Sequence, residues 1–243
     1  MLSKDTMRRR LRQDQDRLHL ILMLALTFST GVVDAVGYLG LDRVFTGNMT
    51  GNIVILGMAL TGADDLPIVG PVLALIGFVL GAVLAGTSLR TAEKGWTRRA
   101  TWLLAVVAAL IVAALIPVLA ASEPYPTAGM LTITGILGTA MGMQAGVARH
   151  LGVADVTTVV VTSTLVGLGF DSWLGRRNGQ KWLRRLLAIV LIALGALAGA
   201  ALLRIHLGYG IGLAAAITVV VAILGHVGAP ARSLAAAPAP ASA

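Results

Sequence analysis

VFTGNMTGNIVILG, residues 44–57, places Thr46, Asn48, Thr50 and Asn52 within seven residues, broken by Gly47 and Gly51, in a chain otherwise made mostly of Leu, Ala, Val and Ile. The reading of this stretch decides whether the chain crosses a membrane six times or eight. Of the 243 residues, 57% are hydrophobic and 12% charged, with a mean hydropathy of +0.86. Apolar runs recur that are long enough to cross a hydrocarbon core of roughly 30 Å. In lipid the backbone must satisfy its own hydrogen bonds, so the fold class is all-α: a polytopic helical membrane protein.

Eight hydrophobic segments can be marked, at about 18–38, 44–61, 66–89, 100–121, 127–148, 156–169, 186–203 and 207–226. The second and sixth are short and begin with hydroxyl or amide side chains. Charge tests whether they cross. Six Lys/Arg precede the first segment, four lie in LRTAEKGWTRRA (89–100) and five in FDSWLGRRNGQKWLRR (170–185). If both short segments fail to cross, 17 of the 19 Lys/Arg fall on the N-terminal side, with Arg43 and Arg204 the exceptions; if all eight cross, 12 fall there and seven opposite. Positive charge in short loops marks the cytoplasmic side, so six full spans plus two short re-entrant helices are expected. Trp96, Trp102, Trp173 and Trp182 then lie near the inner interface, and Tyr38, Tyr125 and Tyr209 near the outer.

The two short segments resemble each other. VFTGNMTGNIVILG (44–57) laid over VTTVVVTSTLVGLG (156–169) pairs Thr46 with Thr158 and Thr50 with Thr162. The preceding helices align with Asp34 over Gln144 when two residues are inserted. GAVLAG (81–86) echoes GALAGA (195–200). Such correspondence predicts an internal duplication. Three crossings per half make it an inverted repeat, with halves at about 18–121 and 127–226. Residues 1–17 are expected to form a basic cytoplasmic leader, and residues 227–243 an Ala/Pro-rich disordered tail.

A helix that enters the membrane without crossing begins with free backbone N–H groups in the interior. Asn48 or Thr46 can cap them, and Gly47 and Gly51 allow a tight reversal and close approach. Thr158, Thr162 and Ser163 are expected to act likewise from the other half. Two helix N-termini converging near the midplane, each with about half a positive charge, make a site for a small polar or anionic solute. Asp34 lies in an apolar helix with no basic residue within a turn, about 24 Å from Leu18 along the axis. A carboxylate there must face the interior or a wet cavity, which makes it a candidate carrier of a proton or cation, with Gln144 its neutral counterpart.

The expected solute path is therefore Asp34, Thr46, Asn48, Thr50, Gly51, Asn52, Gln144, Thr158, Thr162 and Ser163. Packing alone is the competing reading. Gly47-x-x-x-Gly51 has the spacing that joins helices, and Thr and Asn can bond across helices with no ligand. Gly77-x-x-x-Gly81 and Gly195-x-x-x-Gly199 suit contacts within the bundle or in a homodimer. Asp42, Arg43, Arg149, His150 and Asp155 flank the short helices, where they gate a path or form weak interfacial pairs.

Several classes are excluded. The chain has no cysteine, hence no disulfide, thiolate catalysis or Cys-ligated metal. His19, His150, His206 and His226 show no metal-binding spacing. No nucleophile elbow, P-loop or paired carboxylates appear, so no enzyme activity or cofactor is expected. The net charge of +8 sits in loops beside spans, where it sets orientation and meets membrane lipids rather than nucleic acid.

DAVGYLGLDRVFTGNMTGNIVILG (34–57) resembles the signature of the YoaK-like family of uncharacterised bacterial inner-membrane proteins, a domain of unknown function. TTVVVTSTLVGLG (157–169) resembles its later Thr-rich helix, with Ser163 where relatives commonly carry glycine. The resemblance runs over nearly all of residues 18–226. It implies an inner-membrane protein of six or seven spans and no particular reaction or substrate. From the residues themselves, a small-solute transporter or channel-like protein is expected. A non-transporting membrane scaffold or accessory protein is the alternative.

Overall fold

The computed structural model describes residues 4–121, 124–152, 161–176 and 182–228, with side chains from residue 14. The α-helices among these are α1 (Lys4–Gly40), α2 (Met49–Ala59), α3 (Val69–Leu89), α4 (Arg98–Ala113), α5 (Leu115–Ala120), α6 (Thr127–Leu151), α7 (Val161–Phe170), α8 (Trp182–Leu203) and α9 (Leu207–Val227), joined by short loops and turns. Six helices are long and apolar enough to span a membrane. They are α1 from Asp14, α3, α4 continued by α5, α6, α8 and α9. The break between α4 and α5 has a local cause: Pro117 cannot donate to the Ala113 carbonyl and crowds it, so the helix resets at Ala114. α2 and α7 are apolar but too short to cross.

Contacts between helix ends define two faces. On the first, Gly40 at the end of α1 meets Leu203 and Leu207 at the α8–α9 turn, and the Tyr125 hydroxyl lies 3.4 Å from His206 Nε2. On the second, His150 at the end of α6 donates to the Glu93 carbonyl over 3.0 Å. There Gly225 lies under the Trp96 ring and Gly228 against Leu18. Arg90, Lys94, Arg98, Arg99 and Arg149 belong to segments on this second face, whereas Arg43 and Arg204 belong to the first.

The positions of the short helices follow from these contacts. Arg43, just after α1, donates through Nη1 to the Asp64 carbonyl, just after α2, over 3.1 Å. Both ends of the α2 excursion therefore meet on the first face, and α2 does not cross. α6 ends and α8 begins on the second face, so the segment carrying α7 leaves and returns there. As a result α1, α3 and α4 run in the opposite directions to α6, α8 and α9.

The spans pack as α1 along α8 and α3 along α6, with α4 and α9 against each other and against α6 and α1 respectively. Small residues set these approaches. A Cβ on Gly77 would lie 2.9 Å from the Gly135 carbonyl, and Gly81 faces the Thr139 carbonyl more closely still; Gly195 and Gly199 abut the backbone at Phe28 and Val32. Both glycine motifs thus pack inside the bundle. Leu26, Val36, Leu104, Ile111, Leu137, Met141 and Ile211 fill the core between them. Trp102, Trp173 and Trp182 face outward, but Trp96 is only 2% exposed. Its ring turns inward over Gly225, and its Nε1 donates to Thr101 Oγ1 over 2.9 Å.

Two outcomes are expected. Gly81→Leu, which must displace the α6 backbone, destabilises the protein by about 1–3 kcal/mol, seen as a lower Tm in detergent. Gly86→Leu, on the same helix facing open space, leaves the Tm unchanged. Single cysteines at Ala63 and Gly208 react with an impermeant thiol reagent in intact cells, while one at Ala92 reacts only after permeabilisation. Labelling at 92 without labelling at 63 would mean that α2 crosses.

Candidate functional site

After Gly40 the chain reverses through Asp42 and Arg43, both in the left-handed region at φ 63° and 58°. Asp tolerates that region better than most residues, and the Arg43 bond to Asp64 holds the second position. The next residues descend along α1. Gly37 lets the Val44 carbonyl lie directly on the helix, where a Cβ would collide. At the bottom of the descent Asp34 Oδ1 accepts three backbone N–H groups: Thr46 at 3.0 Å, Gly47 at 2.6 Å and Asn48 at 3.4 Å. A side chain on Gly47 would lie 2.9 Å from Thr30 Cγ2 and against the carboxylate, so this position requires glycine.

α2 starts at this point. Asn48 is its N-cap, accepting from Gly51 N over 3.2 Å. Asn52, one turn in and fully buried, closes the loop: its Nδ2 donates to the Phe45 carbonyl at 2.6 Å and its Oδ1 accepts from Phe45 N at 2.9 Å. A short helix in an apolar medium must satisfy its first donors internally. Here Asn48 takes the Gly51 N–H of the first turn, while Asp34 and Asn52 take the N–H groups of the loop that leads into it.

Above this anchor lies a cavity of roughly 590 Å³. α1 contributes Thr30, Asp34 and Tyr38, and the loop with the first turns of α2 contributes Phe45, Gly47, Asn48, Thr50 and Gly51. Val54 and Ile55 farther along α2, Val161 and Thr162, the first described residues of α7, and Ile192 of α8 complete it. The two short helices thus reach one cavity, although they enter from opposite faces. No Lys or Arg is among the described lining residues. The Tyr38 and Phe45 rings are stacked, with centroids 4.9 Å apart and planes at 26°.

The expected site residues divide accordingly. Asp34, Asn48, Thr50, Gly51 and Thr162 line the cavity. Thr46 and Asn52 do not; both are fully buried in the loop, and Thr46 Oγ1 has no hydrogen-bond partner among the described residues. Gln144 stands behind the cavity wall, where its Nε2 donates to Thr30 Oγ1 over 3.2 Å. Ser163 lies outside the lining. Thr158 and Asp155 fall outside the described residues. Thr30, Tyr38 and Phe45 are lining residues that the sequence pattern of 44–57 does not single out. Thr30 and Tyr38 stand four residues either side of Asp34, the helical spacing that puts all three on one face.

Asp34 Oδ1 takes the N–H groups of residues 46 to 48, in the loop that leads into α2, so those three donors are closed to a ligand. Oδ2 carries no hydrogen bond to any described residue. α7 is anchored at its other end: Arg185 of α8 pairs with Asp171 at 2.9 Å and donates to the Gly167 carbonyl. Among the described residues no group of three or more His, Asp or Glu could hold a metal ion.

Residues 22–224 match the family described as "Protein of unknown function (DUF1275)". The UPF0700 transmembrane protein YoaK of Bacillus subtilis (strain 168) is 34% identical over 185 residues, which cover 72% of this chain and 80% of the relative. No solved structure matches.

The two buried loop residues separate experimentally. Asn52→Leu leaves Phe45 N and O unpaired and destabilises the protein by about 1–3 kcal/mol for each orphaned group. Thr46→Val removes a hydroxyl with no described partner, so its Tm equals or exceeds that of the wild type. Thermal unfolding in one detergent checks both.

Proposed function

The chain belongs to the DUF1275 family of YoaK-like transmembrane proteins, and from that premise we propose that it moves a small polar solute across the membrane through the cavity between α2 and α7. The observation that carries this reading is the meeting of two non-crossing helices, one from each face, at a single polar-lined cavity beside a carboxylate on a span. A re-entrant helix is costly to build in lipid, because its first N–H groups have no helical partner. Two that meet at one cavity give a site reachable from either side, the arrangement by which broken helices serve transport.

The opposed directions of α1, α3 and α4 against α6, α8 and α9 support an inverted repeat. So does the pairing of helices, since α1 on α8 corresponds to α6 on α3. Relative movement of the two halves would then expose the cavity to each face in turn. The basic second face is the cytoplasmic one, which puts both termini inside a bacterial inner membrane.

The expected solute differs from the anionic one that two free helix N-termini would favour. Asp34 already occupies the N–H groups of the loop before α2, and no Lys or Arg is among the described lining residues. An uncharged or cationic polar solute fits this lining better. A scaffold that transports nothing would use the same glycines for packing, but it has no use for an open cavity floored by a carboxylate.

Purified protein in liposomes, offered radiolabelled small amines, sugars and amino acids, tests the reading. At least one class should enter faster than into protein-free liposomes. Thr162→Trp, an exposed position whose enlarged side chain fills the cavity, should abolish that entry while the Tm is retained. If no class exceeds the protein-free rate, or if the tryptophan variant transports normally, the cavity is not a transport path.

A further inference from the structure

We infer that the cavity at Asp34 recognises a small organic cation, an ammonium group carried on a compact polar or methylated body. The inference rests on the reading of this cavity as the solute site and adds the chemistry of its ligand. The first ground is charge. Asp34 is an acidic side chain on a span, and no Lys or Arg is among the described residues that line its cavity. A carboxylate held away from water needs a partner of opposite sign. Within the described lining none exists, so an entering cation supplies it.

The second ground is how the carboxylate is used. Its Oδ1 is bound by the three N–H groups of residues 46 to 48, which fix the side chain's orientation. Its Oδ2 has no hydrogen-bond partner among the described residues, and Asp34 lines the cavity. The same three bonds commit the N–H groups of the loop before α2, and an anion entering the cavity would meet the carboxylate itself.

The third ground is the wall. Tyr38 and Phe45 stack beside the carboxylate, and aromatic faces attract ammonium ions, most strongly where water is thin. A bare metal ion needs several oxygen ligands at close range; one free carboxylate oxygen and two rings suit an alkylammonium better. Thr50 and Thr162 provide hydroxyls for a polar end of the molecule. A cavity of roughly 590 Å³ accommodates such a body and falls within the usual size of small-molecule sites.

The test uses the full chain in lipid nanodiscs and reads equilibrium binding of choline, tetramethylammonium, ethylammonium and guanidinium. 3,3-Dimethyl-1-butanol is the uncharged isostere of choline, and sodium is the inorganic comparison. At least one of the four organic cations should bind, with the isostere and sodium at least about tenfold weaker. Asp34→Asn, which keeps an oxygen to accept the loop N–H groups, should weaken that binding by at least about tenfold. Tyr38→Leu, which loses the stack on Phe45 but keeps the loop's hydrogen bonds to Asp34 and Asn52, should weaken it by about threefold to tenfold without the same loss for the isostere.

The inference is overturned if none of the four organic cations binds, if the isostere or sodium binds as tightly, or if Tyr38→Leu and a folded Asp34→Asn bind like the wild type. Failure of the transport reading looks different. Asp34-dependent binding without flux in liposomes overturns transport and keeps this site, whereas flux of sugars with no ammonium binding overturns this site and keeps transport.

Discussion

The carboxylate of Asp34, gripped by the backbone N–H groups of Thr46, Gly47 and Asn48, is the contact on which the first half of the molecule depends. A chain that turns back into the membrane brings unsatisfied donors with it, and in lipid there is no water to take them. An ionised acceptor makes stronger bonds to them than a neutral one. It also lies at the positive end of the α2 dipole, where negative charge is stabilised. The bond works in both directions: the loop makes a carboxylate tolerable within a span, and the carboxylate makes the loop tolerable within the membrane. Gly37 and Gly47 follow from it, since the loop must lie directly on α1 to reach Asp34. Asn52 then closes the reversal from inside α2.

The second half solves the equivalent problem from the other end of the helix. α7 is held at its C-terminal turn, where Arg185 bonds the Gly167 carbonyl and pairs with Asp171. A cation is the favourable charge at that end of a helix. Each short helix is therefore tied to a neighbouring span by a charge that complements the terminus it touches: α2 by an anion at its tip in the cavity, α7 by a cation at its base near the second face. Gln144, aligned with Asp34 in the sequence, hydrogen-bonds Thr30 of α1 instead. It thereby fixes the cavity wall of the first half.

The six spans, the failure of α2 to cross and the crowding of basic residues on one face were all legible from segment length and loop charge. These depend on local hydropathy and on a count, and neither needs tertiary contacts. The cap at Asn48 was legible as well, because an amide just before an apolar run has few other uses. The division of the polar residues between loop and cavity was not. Residues 44 to 48 are loop rather than helix, so no 3.6-residue period tells which way Thr46 points. Asn52 is on the helix, but its partner Phe45 precedes the turn. Tyr38 and Thr30 were within reach of the helical period of α1, yet the loop drew attention away from the helix it lies on. Trp96 shows a further limit. An aromatic at a membrane interface is expected to face the headgroups, and only the missing side chain at Gly225 turns this one inward.

The use of each polar group decides what the cavity can hold. Free helix N-termini alone would argue for an anion, and a lone membrane carboxylate alone would argue for a proton. Here the two features meet, and they change each other's meaning. The N–H groups of residues 46 to 48 are committed to Oδ1 and are closed to a ligand. The carboxylate is fixed by those bonds, so its remaining oxygen is an oriented acceptor at the edge of a space with aromatic rings on one side and hydroxyls on the other. Helix-terminus logic applied before the loop contacts are known argues for an anion, whereas those contacts commit the N–H groups of residues 46 to 48 to a carboxylate. Once they are known, the same rule of dipole and counter-charge accounts both for the position of Asp34 and for the charge its free oxygen would accept.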